Sequence, residues 1–385
     1  MPQLVSAVFG PVFWWTVPVL IVLGVVVIVH ELGHLLAARA LGIKVKSFSV
    51  GWGPEMAGFT GKSGTRWKIS WIPIGGFVSF KGDENAASLP TAEDLDKLTP
   101  AEREGNFHTA ALWRRTLVTL AGPFANFVLG FVIFTGMVFW TGIVYRPAEI
   151  ICVEPGTPAA KAGFKAGDRV LSVGGQPVRS FEDFSSHVVL NARSPIDITV
   201  DRGGKSVALR VVPALSKGEC VGRIGVLGQT NPANTRVESA GLFTAAADGF
   251  RRTWRITESP FQFMAQLFRG NACASSLGGP VKIAEVSKQI ATQGFINLIP
   301  LIAFISISVG LFNLFPIPVL DGGHLLFYGA EAILGRPLSQ RAQEAGFQFG
   351  FALLLMLMIF VTWNNVAELT RGKPQPAKVT SVCRK

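Results

Sequence analysis

Four stretches of the chain are apolar for long enough to cross a bilayer, near 13–37, 116–144, 296–320 and 346–363. A helix needs about 20 such residues to do so. Between them the pattern changes period. KVKSFSVGWG (44–53) and TRWKISWIPIGGFVSF (65–80) alternate apolar and polar positions and are rich in β-branched and aromatic residues. They predict a β-hairpin or small sheet, whose aromatic face (Trp52, Phe59, Trp67, Trp71, Phe77) suits a membrane interface. Residues 82–108 are polar and acidic, a loop. From Arg146 to about Ala214, EIICVEPGTPAAKAGFKAGDRVLSVGGQPVRSFEDFSSHVV predicts strand, loop, short helix, strand, a two-glycine turn and a second helix. DITVDRGGKSVALRVVP then predicts a hairpin. Along 239–270 apolar residues recur at helical spacing, with Arg251, Arg252 and Arg255 on one turn, which predicts an interfacial amphipathic helix divided at Pro260.

Gly122-Pro123 falls inside the second apolar stretch, and Pro316 and Pro318 inside the third. Broken backbone at membrane depth is tolerated only where protein or a water-filled cavity satisfies it. Two broken helices therefore predict a buried polar cavity. Composition supports the membrane reading: 49% hydrophobic and 16% charged residues among 385. The net charge of +11 is scattered rather than gathered into an aromatic-interleaved patch, which favours anionic lipid over nucleic acid.

The first stretch reads as a retained helix and not a cleaved signal peptide, since no Lys or Arg precedes it and the apolar run is too long. Residues 1–38 carry no Lys or Arg and 39–115 carry eleven. That bias puts the N-terminus outside and the first loop in the cytoplasm. With four spans, 145–295 then lies outside, and so does the C-terminus, although its basic tail pulls the other way. The cysteines (Cys152, Cys220, Cys273, Cys383) show no metal-type spacing; Cys152 and Cys220 are candidates for a disulfide if their region is extracytoplasmic.

The candidate chemistry sits at the end of the first stretch, in His30-Glu31-Leu32-Gly33-His34. On a helix, histidines four apart share a face and converge on one Zn²⁺, while Glu31 can reach a zinc-bound water without ligating the metal. Zinc lowers the pKa of that water to about 7, so the carboxylate can take its proton and pass it to a leaving amine. A third ligand is needed, and no acid or histidine follows before Glu55. The best-fitting place is LFNLFPIPVLDGGHLL (311–326), where the two prolines let Asp321 be aimed sideways at the metal. His324 is a competing ligand ranked below it, more in keeping with a supporting role.

HELGH in the first helix and NLFPIPVLDG (313–322), together with GWGP (51–54), IPIGGFV (72–78), AGPFAN (121–126) and SLGGPVKIA (276–284), resemble the site-2 protease family of intramembrane zinc metalloproteases, peptidase family M50. The nearest type is the bacterial regulator of sigma-E protease. PGTPAAKAGFKAGD (155–168) with RVLSVGGQPV (169–178) resembles a PDZ domain of the bacterial protease kind. Many relatives carry two such domains in tandem; one is found here.

The resemblance implies a polytopic α-helical membrane protein with four transmembrane helices, a membrane-associated β-hairpin or sheet and an inserted α+β PDZ domain, a partly open barrel. The expected parts are a first helix (1–38), a cytoplasmic region with the hairpin (39–112) and a second helix (113–145). Then come the PDZ domain (146–214), an extracytoplasmic linker with the amphipathic helix (215–293), a third segment (294–335), a fourth helix (336–366) and a basic tail (367–385). It implies His30, His34 and Asp321 as Zn²⁺ ligands, Glu31 as general base, and Asn313 and Asn126 as substrate or oxyanion contacts, with a helix-to-helix hydrogen bond the equal alternative for Asn126. The expected activity is that of a zinc metalloendopeptidase of the bacterial inner membrane, with its active site near the cytoplasmic side. It would cut single-pass membrane proteins already shortened by a first cleavage, such as anti-sigma factors and remnant signal peptides. The PDZ domain would bind a peptide C-terminus, and the membrane sheet would take substrate as an added strand. A zinc transporter or sensor, or a catalytically idle PDZ scaffold, are the alternatives. Five histidines with no His-rich loop speak against the first, and an intact HExxH with a distant Asp against the second.

Overall fold

The computed structural model describes residues 2–83, 98–145, 148–178, 180–216, 221–228, 236–270 and 279–370. The tail beyond 370, Cys220, Cys273, Cys383 and most of the acidic loop lie outside them. The helices of five residues or more are, in chain order, α1 (Pro2–Ala40), α2 (Leu112–Thr141), α3 (Pro158–Ala162), α4 (Phe181–Leu190), α5 (Leu242–Phe268), α6 (Pro280–Ala291), α7 (Leu298–Asn313), α8 (Asp321–Leu334) and α9 (Gln340–Thr370). Four are long and apolar enough to cross a membrane, over Phe13–Ala40, Leu112–Thr141, Phe295–Asn313 and Gln340–Ala367. The protein is therefore a multi-pass membrane protein.

The chain divides into two compact units. The first comprises Met1–Phe134, Gly249–Thr257 and Lys282–Phe360. Here α1 packs against α7 and α6 through Val22, Val26, Ala291, Leu298, Ile302 and Ile305. Its other end packs on the strands β1 (Val45–Thr60) and β2 (Arg66–Phe80) through Leu35, Ala38, Val45 and Phe48. The expected hairpin is a curled sheet. Residues 47–50 pair with 76–79 on one side and 66–69 on the other, and 57–60 pair with 66–69 again. The bends fall at Gly51, Gly53 and Gly75, all with φ near +90°, where only glycine is unstrained. Trp52, Phe59 and Trp71 remain exposed, as the interfacial reading requires.

Two of the expected breaks are absent. Helix α2 runs unbroken through Pro123 and α5 through Pro260. A proline removes one backbone hydrogen bond and kinks a helix, but neighbouring protein can absorb that. The third apolar segment does break, and completely. Helix α7 ends at Asn313 and α8 begins at Asp321, with a non-helical link of 314–320 between them.

The second unit comprises Thr135–Asp248, Glu258–Val281 and Val361–Lys385. Its main sheet has the order β11-β4-β5-β7-β8, with β6 beside β5, where β4 is Ala148–Val153, β5 Arg169–Val173, β6 Gln176–Pro177, β7 Ile196–Arg202, β8 Lys205–Val211 and β11 Val226–Gly228. The remaining pairs are β3 (Ile143–Tyr145) with β12 (Arg236–Glu238) and β9 (Ala214–Leu215) with β10 (Gly222–Arg223). The turns at Gly174-Gly175 and Gly203-Gly204 have positive φ, as the two-glycine hairpins demand. Alternate residues Ile196, Ile198 and Val200 turn inward onto Ile150, Val170 and Phe184 to form one core. Cys152, in β4, is disulfide-bonded.

Along α5, Phe243, Phe250, Trp254, Phe261 and Phe268 are all exposed. Their spacings of 7, 4, 7 and 7 lie close to whole turns of 3.6 residues, so they form one aromatic stripe.

Candidate metal centre

His30 and His34 occupy the last third of α1, four residues apart, and both are buried. Their Nε2 atoms lie 3.2 Å from each other. Asp321 Oδ2 lies 3.1 Å from His30 Nε2 and 3.5 Å from His34 Nε2. Bonds of about 2.0–2.1 Å to a tetrahedral zinc set neighbouring ligand atoms about 3.3 Å apart, which is the separation found. Asp321 Oδ2 is buried and has no hydrogen-bond partner. Three potential donor atoms thus converge on a common point, and a cation there would satisfy the buried carboxylate oxygen. The three residues form a cluster capable of holding a metal ion, and their donor set suits zinc.

Asp321 reaches the cluster because of the link after α7. Pro316 and Pro318 cannot continue a helix, and Val319 adopts φ 124°, a strained value for a β-branched residue. The link folds tightly under the start of α8. A Cβ on Gly322 would lie 2.1 Å from Phe315 O, and one on Gly323 2.5 Å from Ile317 O. Glycine at both positions lets α8 begin against this backbone, which aims its first side chain at α1.

Helix α2 contributes no ligand, yet it frames the site. Its Val118 carbonyl lies 2.8 Å from His34 Nδ1, so an Nδ1–H there donates to it and leaves Nε2 for a metal. The Asn126 side-chain amide lies 3.2 Å from His30 Nδ1. Gly122 opens the space between them, for a Cβ there would sit 2.3 Å from His34 Nε2. At the start of α2, Arg115 forms a two-pronged ion pair with Glu331 of α8, with Nη2–Oε1 at 2.6 Å and Nη1–Oε2 at 3.2 Å. The guanidinium also covers the Tyr328 ring at 5.2 Å.

The model of peptidase family M50 matches residues 18–357. The chain belongs to peptidase family M50. Among its relatives, a Rhizobium meliloti protein named as a candidate zinc metalloprotease is 40% identical over 362 residues, covering 91% of this chain and 96% of its own length. The metalloprotease MmpA of Caulobacter vibrioides is 38% identical, covering 91% and 94%. The protease eep of Enterococcus faecalis is 30% identical over 90% of this chain and 97% of its own. A solved PDZ domain of an SdrC-like protein from Listeria monocytogenes aligns with 22% of the chain at 20% identity and a TM-score of 0.20; a likeness of that size fixes no fold. M50 membership makes zinc-dependent peptide hydrolysis the family-level activity of this protein.

Within this M50 chain the cluster opens on a cavity of about 960 Å³, lined by Glu31, Trp52, Phe77, Asn313, Asp321 and His324 among others. Glu31 lies against the last arm of the sheet, its Cγ 3.6 Å from where a Cβ on Gly76 would stand. The Asn313 amide donates to Val309 O at 3.0 Å within its own helix while facing the cavity. His324 packs edge-on against Phe347 at 5.5 Å and does not join the metal cluster. Asn126 is the exception among the expected site residues. It is fully buried behind His30 and does not line the cavity.

Sequence reading missed the α2 frame. Arg115 and Glu331 stand out only as charges flanking apolar runs, and Val118 acts through its backbone, which leaves no mark in the residue pattern.

Proposed function

We propose that this protein is an intramembrane zinc metalloprotease of the site-2 type. Its substrates would be transmembrane segments of single-pass membrane proteins, among them anti-sigma factors and remnant signal peptides trimmed by an earlier cut. The observation that carries this reading is the convergence of His30 Nε2, His34 Nε2 and Asp321 Oδ2, with Glu31 beside them, in a cavity among membrane helices.

A metal bound there supplies Lewis-acid polarisation of water and of the scissile carbonyl. The other roles belong to this chain. Glu31 takes a proton from the attacking water and returns it to the leaving amine. The Asn313 amide, with one N–H beyond its Val309 bond, donates to substrate or to the developing oxyanion. A substrate helix must unwind before its peptide bond is exposed, and its freed N–H and C=O groups then need partners. The arm 76–80 pairs with 45–50 on one side, and its Gly76 lies against Val27 and Glu31. It is suited to receive the unwound segment as an added strand at the base.

The N-terminus and the PDZ domain (146–214) are extracytoplasmic in this reading, with the metal centre near the cytoplasmic face. The charge step between 1–38 and 39–115 supports that orientation. So does the disulfide at Cys152, a bond that persists in oxidising compartments. Residues 146–214 act as a PDZ domain that binds peptide C-termini, and the aromatic stripe of α5 rests in the lipid interface.

The test uses the detergent-solubilised full chain with a tagged membrane-helix substrate. Wild type should cut it, and a chelator or Glu31→Gln should abolish cutting. Undiminished cleavage by Glu31→Gln refutes the assigned chemistry.

A further inference from the structure

Asn126 is the one expected site residue that the proposed mechanism leaves unused, and its surroundings give it a different task. It is fully buried in α2, with its amide 3.2 Å from His30 Nδ1. Its backbone is pinned from α7, where Ser306 Oγ donates to Asn126 O at 2.9 Å and Gly310 allows close approach. Side-chain Oδ1 is buried without a partner. A substrate cannot reach this amide while His30 stands between it and the cavity.

The tautomer of His30 decides what the contact does. If Asn126 Nδ2–H donates to a bare Nδ1, the imidazole proton sits on Nε2, where it faces His34 and Asp321 and blocks ligation. If Oδ1 faces Nδ1 instead, it accepts from Nδ1–H, and Nε2 presents its lone pair to the cluster. The two amide orientations differ by a half-turn and have nearly the same shape. The turn leaves the NH2 where the oxygen was, so it gains the imidazole's tautomer and not a count of satisfied atoms. His34 already shows this arrangement, with its Nδ1 2.8 Å from the Val118 carbonyl. The carbonyl and the amide lie two turns apart on α2, matched to two histidines one turn apart on α1.

We propose that Asn126 is a positioning residue for the metal. Its side-chain oxygen accepts from His30 Nδ1–H and so fixes Nε2 as the metal-facing nitrogen. This rests on the metal-centre reading above and adds a role that the ligand set does not contain. Because the acceptor is an oxygen, aspartate serves in its place and an apolar residue does not.

The experiment measures Zn²⁺ affinity of the detergent-solubilised full chain by competition with a chelator, and the visible spectrum of the Co²⁺ form. Asn126→Leu should weaken Zn²⁺ binding by about 10- to 100-fold, the usual cost of losing a partner behind a metal-bound histidine. Asn126→Asp should bind within about three-fold of wild type, or more tightly, and keep the wild-type Co²⁺ spectrum. If the leucine variant does not fold, Asn126→Ala puts the same question. Unchanged affinity in the apolar variant, with only KM or kcat altered, overturns the proposal and returns Asn126 to the substrate. An aspartate variant as weak as the apolar one also overturns it, by removing the acceptor role. Wild type that binds no Zn²⁺ overturns the metal centre itself, so the two failures are told apart.

Discussion

Replacing Gly122 by alanine sets two effects against each other. In a helix interior the exchange is worth about 1 kcal/mol in favour of alanine, so the metal-free protein should not be destabilised by propensity. The new methyl, however, would lie 2.3 Å from His34 Nε2. An unstrained contact needs about 3.5 Å, so ring and methyl must separate by about 1.2 Å. The ring has little freedom to yield, since its Nδ1 is held at 2.8 Å by Val118 O and its body is buried. A metal site tolerates ligand displacements of about 0.2 Å. Gly122→Ala should therefore cost about 100-fold in Zn²⁺ affinity, the upper end of what a displaced ligand shell costs. In chelator the overpacked ring, worth about 1–3 kcal/mol, should offset or exceed the propensity gain, so the unfolding midpoint does not rise. Chelator-competition titration and thermal unfolding of the solubilised protein measure the two quantities. Wild-type Zn²⁺ affinity in this variant would refute the argument, for it would mean that His34 does not face the metal with Nε2.

Three further outcomes are expected. Both side chains of the Arg115–Glu331 pair are over four-fifths buried, so Glu331→Gln should cost about 3 kcal/mol by stranding the guanidinium. A double-mutant cycle with Arg115→Gln should then show coupling well above 1 kcal/mol in denaturant unfolding, and an additive cycle would exclude the clamp. In the second unit, burial works to raise the Asp168 carboxyl, but the Arg202 guanidinium and the Lys165 backbone N–H outweigh it and hold it below the usual carboxylate range. Its stabilising effect is thus fully present above the unfolded value of about 3.9 and fades as pH falls through the lower folded value. The advantage in melting temperature of wild type over Asp168→Asn should shrink below about pH 4; a pH-independent gap rules this out. Zn²⁺ at 100 times its dissociation constant should stabilise wild type by about 2.7 kcal/mol and leave Asp321→Ala unmoved, which thermal shift with and without chelator will read.

How much was legible beforehand differed by kind of residue. Each of the four spans carries its own signal, a run of apolar side chains, and the structure has helices at all four. HExxH is likewise local, because two residues one turn apart share a face in any α-helix. The glycine pairs at 174–175 and 203–204 call for turns that no other residue type makes as cheaply, and both turns have the positive φ this requires. The proline readings divided. Pro316 and Pro318 end a helix, whereas Pro123 and Pro260 do not, because two prolines two residues apart remove two N–H groups within one turn, where a single proline removes one.

The residue order by itself determined which segments enter the membrane, where two imidazoles share a helix face with a carboxylate beside them, and which distant carboxylate is available to join them. Only the tertiary structure decided that Asp321 opens a new helix and meets both Nε2 atoms, that a backbone carbonyl orients His34, and that Asn126 stands behind His30. Those facts depend on how α1, α2 and α8 pack against one another. Packing of that kind is set by long-range steric fit, such as the missing Cβ atoms at Gly122, Gly322 and Gly323, which leaves no periodic trace along the chain.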